Sequence, residues 1–278
     1  YYTNFKSLEI LFKKYKMIGF EFFILFLAGL GAGMVTGLLG ASAVMVAAPL
    51  MILFLDYSAF SAVGISLATD VFASLTTAYV FHKHGNINIK PAIPLLIFAV
   101  IGAYLGSYFS SSFDTSFLSK IIGLSVMLTG FNFMKRGVKW DISYLEKKFK
   151  LGNKKVQVVF LAILGLIVGL IAGTFGAGGG ITLLIVLVLL LKYKVHMAIG
   201  TSVLVMAFIA LSGTIGHVVY DSVPFYPFVI ASIGGVLGAY FVANKTNTLS
   251  EERLNKLIGV VFFVLGFLLF LKELLYLF

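Results

Sequence analysis

The chain has 278 residues, of which 60% are hydrophobic and only 12% charged, and its mean hydropathy is +1.05. Soluble domains carry about 25% charged residues, so the composition excludes an ordinary globular protein and indicates a polytopic membrane protein. The net charge of +10 does not indicate a nucleic-acid partner, because the lysines fall in short segments between long apolar runs, as in cytoplasmic loops.

Residues 1–17 mix Lys6, Lys13, Lys14 and Lys16 with Phe5, Leu8, Ile10, Leu11 and Phe12. They read as an amphipathic, interfacial segment and not as a signal peptide. Ten apolar segments follow, at 18–39, 43–55, 61–81, 91–109, 117–134, 156–175, 181–191, 197–219, 226–243 and 255–274. A crossing needs about 20 residues, so the second and seventh segments are too short to span alone. A basic linker, 135–155, separates membrane repeat 18–134 from membrane repeat 156–278.

The two halves are a duplication. Gly33, Gly37, Gly40, Gly64, Gly102 and Gly123 match Gly169, Gly173, Gly176, Gly200, Gly238 and Gly259 at one constant offset of 136 residues, without a gap. Tyr57/Tyr193, Ser66/Ser202, Pro91/Pro227 and Tyr104/Tyr240 keep the same register. Equivalent loops differ in charge: Asp56-Tyr57-Ser58 faces Lys192-Tyr193-Lys194-Val195-His196, whereas His82-Lys83-His84 with Lys90 faces Tyr220-Asp221-Ser222. By the positive-inside rule the repeats are inverted and the linker is cytoplasmic. The N-terminal lysines would then lie outside, against the rule. The expected fold is an all-α polytopic membrane protein of two inverted five-segment repeats, each with a short, glycine-interrupted, re-entrant-like hairpin.

The densest glycine signal is Gly176-Ala177-Gly178-Gly179-Gly180. Each glycine costs a helix about 1 kcal/mol relative to alanine, and irregular backbone at membrane depth must be buried in protein or line a wet cavity. Inverted-repeat transporters place substrate at such breaks, at matching positions of the two halves. The start of a short helix offers free amides and partial positive charge, and consecutive amides form an anion nest. Gly40, Ala41 and Ser42 on the first tip, and Gly176, Ala177, Gly178, Gly179, Gly180 and Thr182 on the second, are the candidate substrate contacts. The first tip is poorer in glycine, so the seat is expected to be lopsided, with Gly179→Leu filling it. Close helix packing is the competing explanation for these glycines, and it accounts well for Gly29, Gly33 and Gly37.

Ser66, Thr201 and Ser202 form a second set of candidate substrate contacts, in Gly64-Ile65-Ser66 and Gly200-Thr201-Ser202. A serine bonding its own helix carbonyl is the common alternative. Asp70 is the one acidic residue clearly within a span, and its counterpart is Met206. Such a carboxylate costs about 2.5–3.5 kcal/mol to insert and is a functional candidate by default, here for carrying a proton; capping near Thr69, Thr76 or a backbone amide is the alternative. His217 reads as a hydrogen-bonded core histidine, and Glu21 and Glu273 as interfacial. The chain has no cysteine and only four scattered histidines, so neither a thiolate metal site nor a bound cofactor is expected.

The duplicated module, with Gly176-Ala177-Gly178-Gly179-Gly180 followed by Ala198-Ile199-Gly200-Thr201-Ser202, resembles the TauE/SafE family of sulfite exporters, as does His84-Gly85-Asn86-Ile87-Asn88 followed by Gly102-Ala103-Tyr104-Leu105-Gly106. The likeness covers about residues 20–275. It implies a prokaryotic inner-membrane permease that is not an enzyme and exports sulfite, an organosulfonate or a related sulfur oxyanion, driven by protons. Its partners would be that anion and the bilayer, with a homodimer conceivable and no nucleic acid. Ala41-Ser42-Ala43-Val44 and Ile65 depart from the family pattern. The family branch that imports thiosulfate works through cysteines, which this chain lacks. A permease for another anion or a metal cation is the alternative; a closed, dry midplane would favour a non-transporting receptor or scaffold.

Overall fold

The structure is a computed structural model in which residues 2–136, 154–176, 179–220, 223–245 and 251–275 are described. These residues form ten α-helices: α1 Tyr2–Leu39, α2 Val44–Leu55, α3 Ala59–Lys83, α4 Ile93–Ser111, α5 Thr115–Arg136, α6 Lys154–Phe175, α7 Gly179–Leu191, α8 Val195–Tyr220, α9 Phe225–Lys245 and α10 Glu251–Leu275. A 3-10 turn, Lys90–Ala92, leads into α4. Eight helices are long and apolar enough to cross a membrane, while α2 and α7 are not. The linker interior, Asp221, Ser222, Ala177 and Gly178 lie outside the described residues.

The backbone of residues 2–17 continues into the first span as one helix. At 1.5 Å per residue this helix is about 57 Å long, well beyond the roughly 30 Å of hydrocarbon, so its beginning extends past the bilayer core. Side chains such as Phe72, Ile97, Phe241 and Val219 are exposed on the outside of the bundle, as a lipid-facing surface requires.

The halves are exchanged in their packing. The most extensive helix contacts are α4 with α6, α1 with α9, α5 with α10 and α3 with α8, so the first helix of each repeat lies on the fourth helix of the other. Glycines explain why. Gly29, Gly33 and Gly37 on α1 meet the backbones of Ala231, Gly235 and Ala239, and Gly165, Gly169 and Gly173 on α6 meet Leu95, Ala99 and Ala103. A four-residue spacing of small residues lets two backbones approach closely, and any side chain at these six positions would strike main chain. The pairs rise together in number, so α1 runs parallel to α9 and α6 to α4. Equivalent helices instead run antiparallel: Gly64 of α3 meets His217 of α8 while Gly213 meets Leu67, and Gly123 of α5 meets Phe270 of α10 while Gly130 meets Phe263. This antiparallel relation is the one on which the inverted reading depends.

Backbone breaks repeat in the same register. Among the described residues, left-handed torsions occur at Gly40 and Gly176 (φ 62° and 66°), at Asp56 and Lys192 (φ 52° and 57°) and at Gly85; the first two pairs are each separated by the offset of 136. Gly40 and Gly176 close α1 and α6, donating their amides to Thr36 (3.0 Å) and Ala172 (2.8 Å), the left-handed stop at which glycine carries no Cβ penalty. After the first break α2 doubles back, because Val46 lies beside Gly31.

The loops gather by charge. At one end Asp56 pairs with Lys272 at 2.7 Å and Tyr57 donates to Glu21 at 2.8 Å; burial and then the Glu21 carboxylate hold the Tyr57 hydroxyl protonated well above the usual tyrosine range. At the other end the two basic loops touch, through a Tyr193 hydroxyl bond to the Asn88 carbonyl at 2.7 Å.

Candidate functional site

The two breaks meet. Of the eight helices long enough to cross a membrane, α3 and α8 are the most enclosed, and the hairpin tips close against them from opposite repeats. Ser42 Oγ on the first tip donates to the Gly176 carbonyl on the second at 3.0 Å. The Gly176 backbone packs on the Val44 side chain, and the Gly40 carbonyl lies directly against Gly180, where even a Cβ would overlap it. Thus the glycine at 180 is required by a close approach of two backbones. Gly179 is different: a Cβ there meets only Ala172, at an ordinary 3.6 Å.

Asp70, on α3, lies at the start of α2. Its Oδ2 shares a hydrogen bond with Ser42 Oγ at 2.8 Å, its Oδ1 accepts from Ser74 Oγ at 2.9 Å, and the Ala43 amide adds a backbone hydrogen bond. Thr69 and Thr76 bond their own helix carbonyls, Ile65 and Phe72, so they are not its partners. A carboxylate at a helix N-terminus is favoured by the free amides and the dipole. The first tip therefore already holds the protein's own carboxylate. At the matching position of the second tip stands Met206, whose Sδ lies 2.9 Å from where a Gly180 Cβ would be.

Ser202 and Val203 of α8 underlie Gly40, at 3.4 and 3.2 Å from its Cβ position, and the Ser202 hydroxyl bonds the Ile199 carbonyl of its own helix at 2.9 Å. Ser66, its repeat mate, is fully buried and its hydroxyl has no hydrogen-bond partner among the described residues. Gly40, Ala41, Ser42, Ser66, Asp70, Gly176, Gly179, Gly180, Thr201 and Ser202 are all buried, so the seam is closed in this conformation.

Two expected contacts stand elsewhere. Thr182 is exposed, so its hydroxyl does not line the seam. Thr201 Oγ1 accepts the Asn88 amide at 3.1 Å, committing it to the loop that covers this end of α8. Gly200 is the seat of that loop, against Asn86 and Phe81, as Gly64 is the seat of Val223 at the other end. His217 bonds the Gly173 carbonyl through Nε2 at 3.1 Å and packs on Phe60 with ring centroids 4.2 Å apart, a core histidine bracing the second hairpin. Sequence reading missed Ser74, although its i,i+4 spacing from Asp70 was visible, and it missed the Tyr193–Asn88 tie, which no spacing signals.

A cavity of about 630 Å³ opens beside the basic loops, lined by Leu75, Ala78, Tyr79, His82, Ile87, Asn88, Ile89, Lys90 and Leu204. Lys83 sits over the Tyr79 ring at 4.5 Å. Among the described residues there is no group of three or more His, Cys, Asp or Glu side chains placed to hold a metal ion.

Comparison with known proteins places this architecture. The family described as sulfite exporter TauE/SafE matches residues 25–269. A probable membrane transporter protein YdhB of Bacillus subtilis is 27% identical over 85% of this chain and 95% of its own length. The probable membrane transporter YunE of the same organism is 25% identical over 79% and 88%, and the probable membrane transporter MJ0441 of Methanocaldococcus jannaschii is 25% identical over 71% and 74%. No solved structure matches.

Proposed function

The chain belongs to the TauE/SafE family of sulfite exporters and is a multi-pass transporter of the prokaryotic plasma membrane rather than an enzyme, and we propose that its cargo is a small sulfur-containing anion, sulfite or an organosulfonate, moved outward with proton coupling through the seam between the hairpin tips. The observation that carries the reading is the inequality of the tips. The start of α2 is occupied by the Asp70 carboxylate, whereas the start of α7 faces the Met206 thioether. An incoming anion, admitted once the seam opens and Asp70 is ionised, is therefore repelled from the first tip and directed to the amides of Gly179 and Gly180, with the Ser66 hydroxyl, which has no partner among the described residues, as a further donor on the adjacent helix. Amides and hydroxyls without a full positive charge suit passage more than tight capture.

Outward movement is supported by the cavity bearing His82 and Lys90. It lies at the end that the positive-inside rule assigns to the cytoplasm, where it gathers anions before they reach the seam. A closed seam is what a scaffold would show, and it is equally the resting state of an alternating-access carrier, whose site opens to one face at a time. The test is flux into proteoliposomes: sulfite or a sulfonate moves down its gradient and is accelerated by an opposing proton gradient, while sulfate, thiosulfate and carboxylates compete poorly. Metal-ion flux with no anion flux refutes the assignment.

A further inference from the structure

Counting protons on the bridge between the tips leads beyond the transport reading. Ser42 has one hydroxyl proton and two acceptor lone pairs. Its oxygen lies 2.8 Å from Asp70 Oδ2 and 3.0 Å from the Gly176 carbonyl oxygen, with the Val44 amide at 3.4 Å as a donor. If Asp70 is ionised, two acceptors compete for one proton: either the Gly176 carbonyl loses its donor, or the carboxylate oxygen faces the Ser42 oxygen at 2.8 Å with no proton between them, and both are costly. If Asp70 carries a proton, the chain closes: Asp70 Oδ2–H donates to Ser42, Ser42 donates to the Gly176 carbonyl, and every group is satisfied. Asp70 Oδ1 meanwhile accepts from Ser74 at 2.9 Å.

We propose that Asp70, acting through the single proton of Ser42, latches the second hairpin tip to the first: the tips are held together while Asp70 is protonated and released when its proton passes to water entering the seam. On release, Ser42 turns its proton to the carboxylate, and the Gly176 carbonyl, the acceptor that the other repeat contributes to this bridge, loses its donor. This rests on the transport reading for its purpose, though not for its geometry.

No other charge explains the bridge. The titratable groups on helices packed against α3 are Glu21 on α1 (beyond those of its residues 2–17, which precede the span), Lys120, Lys135 and Arg136 on α5, His196, His217 and Tyr220 on α8, and Tyr226, Tyr240 and Lys245 on α9, with none on α2. Glu21 is engaged by Tyr57 and His217 by Gly173 and Phe60. Among the described residues, Asp70 is bonded by Ser42, Ser74 and the Ala43 amide.

The chain has no cysteine, so Gly179→Cys places a single thiol on the second tip, at a position with room for a Cβ. The full-length variant is labelled with a water-soluble maleimide between about pH 5 and about pH 9, with and without sodium, and each rate is divided by that of the denatured protein to remove the ionisation of the thiol itself. The normalised rate should rise about tenfold with pH as the tips part. Adding Asp70→Asn, whose amide N–H donates to Ser42 as the carboxylic acid does, should hold the rate low throughout; adding Ser42→Ala should make it high at every pH. A rate flat with pH in the Gly179→Cys protein, or an equal rise in the Asp70→Asn variant, overturns the latch. Dependence on sodium in place of pH replaces the proton with a metal cation and overturns it too. Sulfite flux is measured separately on the parent chain and on Asp70→Asn and Ser42→Ala without the cysteine, because Gly179 belongs to the proposed seat. Labelling that follows pH without any anion flux upholds the latch and removes the transport reading, and flux with flat labelling does the reverse.

Discussion

Gly180→Ala tests the seam most directly. The added Cβ falls on the Gly40 carbonyl oxygen and lies 2.8 Å from the Gly40 carbonyl carbon and 2.9 Å from Met206 Sδ. Carbon atoms rest at about 3.5–4.0 Å, so the tips must separate by roughly 1 Å. Neither obstructing group on the Gly40 side is the end of a flexible side chain; both are backbone, fixed where Gly40 ends α1 in a left-handed turn. Overpacking a tight core costs about 1–3 kcal/mol, occasionally more; against main chain the upper end applies, and about 3 kcal/mol disfavours the closed seam roughly 150-fold. Gly179→Ala adds the same methyl where its nearest neighbour is at 3.6 Å, and is the control for helix propensity and volume. Thermal unfolding in detergent and anion flux in proteoliposomes are compared across the pair. Gly180→Ala should lower the melting temperature clearly and reduce coupled flux at least tenfold, while Gly179→Ala stays near the parent on both. Equal behaviour of the two variants would mean that the tips do not touch as described.

Ser66→Ala separates a substrate contact from a structural one. Because its buried hydroxyl has no hydrogen-bond partner among the described residues, removal should leave stability unchanged or raise it by about 1 kcal/mol, while flux falls about tenfold; unchanged flux removes Ser66 from the site. At the ends of the short helices, exposed Lys192 holds a left-handed torsion of 57°, a conformation that costs a non-glycine residue roughly 1 kcal/mol or more. Lys192→Gly should therefore stabilise the chain in a thermal melt, whereas Asp56→Gly should gain less because it also removes the Lys272 ion pair, itself worth about 0–1 kcal/mol at a surface. The order of the two melting temperatures decides the point.

Much of the fold was legible because its signals are one-dimensional. The ten apolar runs correspond to ten helices whose ends differ by a few residues, except that α1 begins well before its apolar run, and the constant offset reappears in the torsions of Gly40 and Gly176 and of Asp56 and Lys192. Gly29, Gly33 and Gly37 read as packing glycines, and their backbones do meet α9. Contacts across the seam were not legible. The pairing of Ser42 with Asp70 depends on how far α2 doubles back, which is set by the torsions of residues 40–43 and not by any spacing. The exposure of Thr182 was not legible, because α7 is otherwise apolar all round and its sequence carries no periodicity to fix the rotation of the helix after the break. Gly200-Thr201 looked like a ligand motif because hydroxyls beside glycine serve ligands and loops alike; Thr201 serves the loop at Asn88.

The exchange of first and fourth helices has a consequence for how the chain is made. The glycine face of α1 has its counterpart in α9, which is synthesised last but one. At about 5–20 residues per second, that face waits on the order of ten to forty seconds in the bilayer before its partner arrives. Neither half is thus an independent folding unit, since each supplies the surface that completes the other. Two fragments severed within 137–153 and produced together should still find each other in the membrane, whereas either fragment alone should remain unassembled and be degraded.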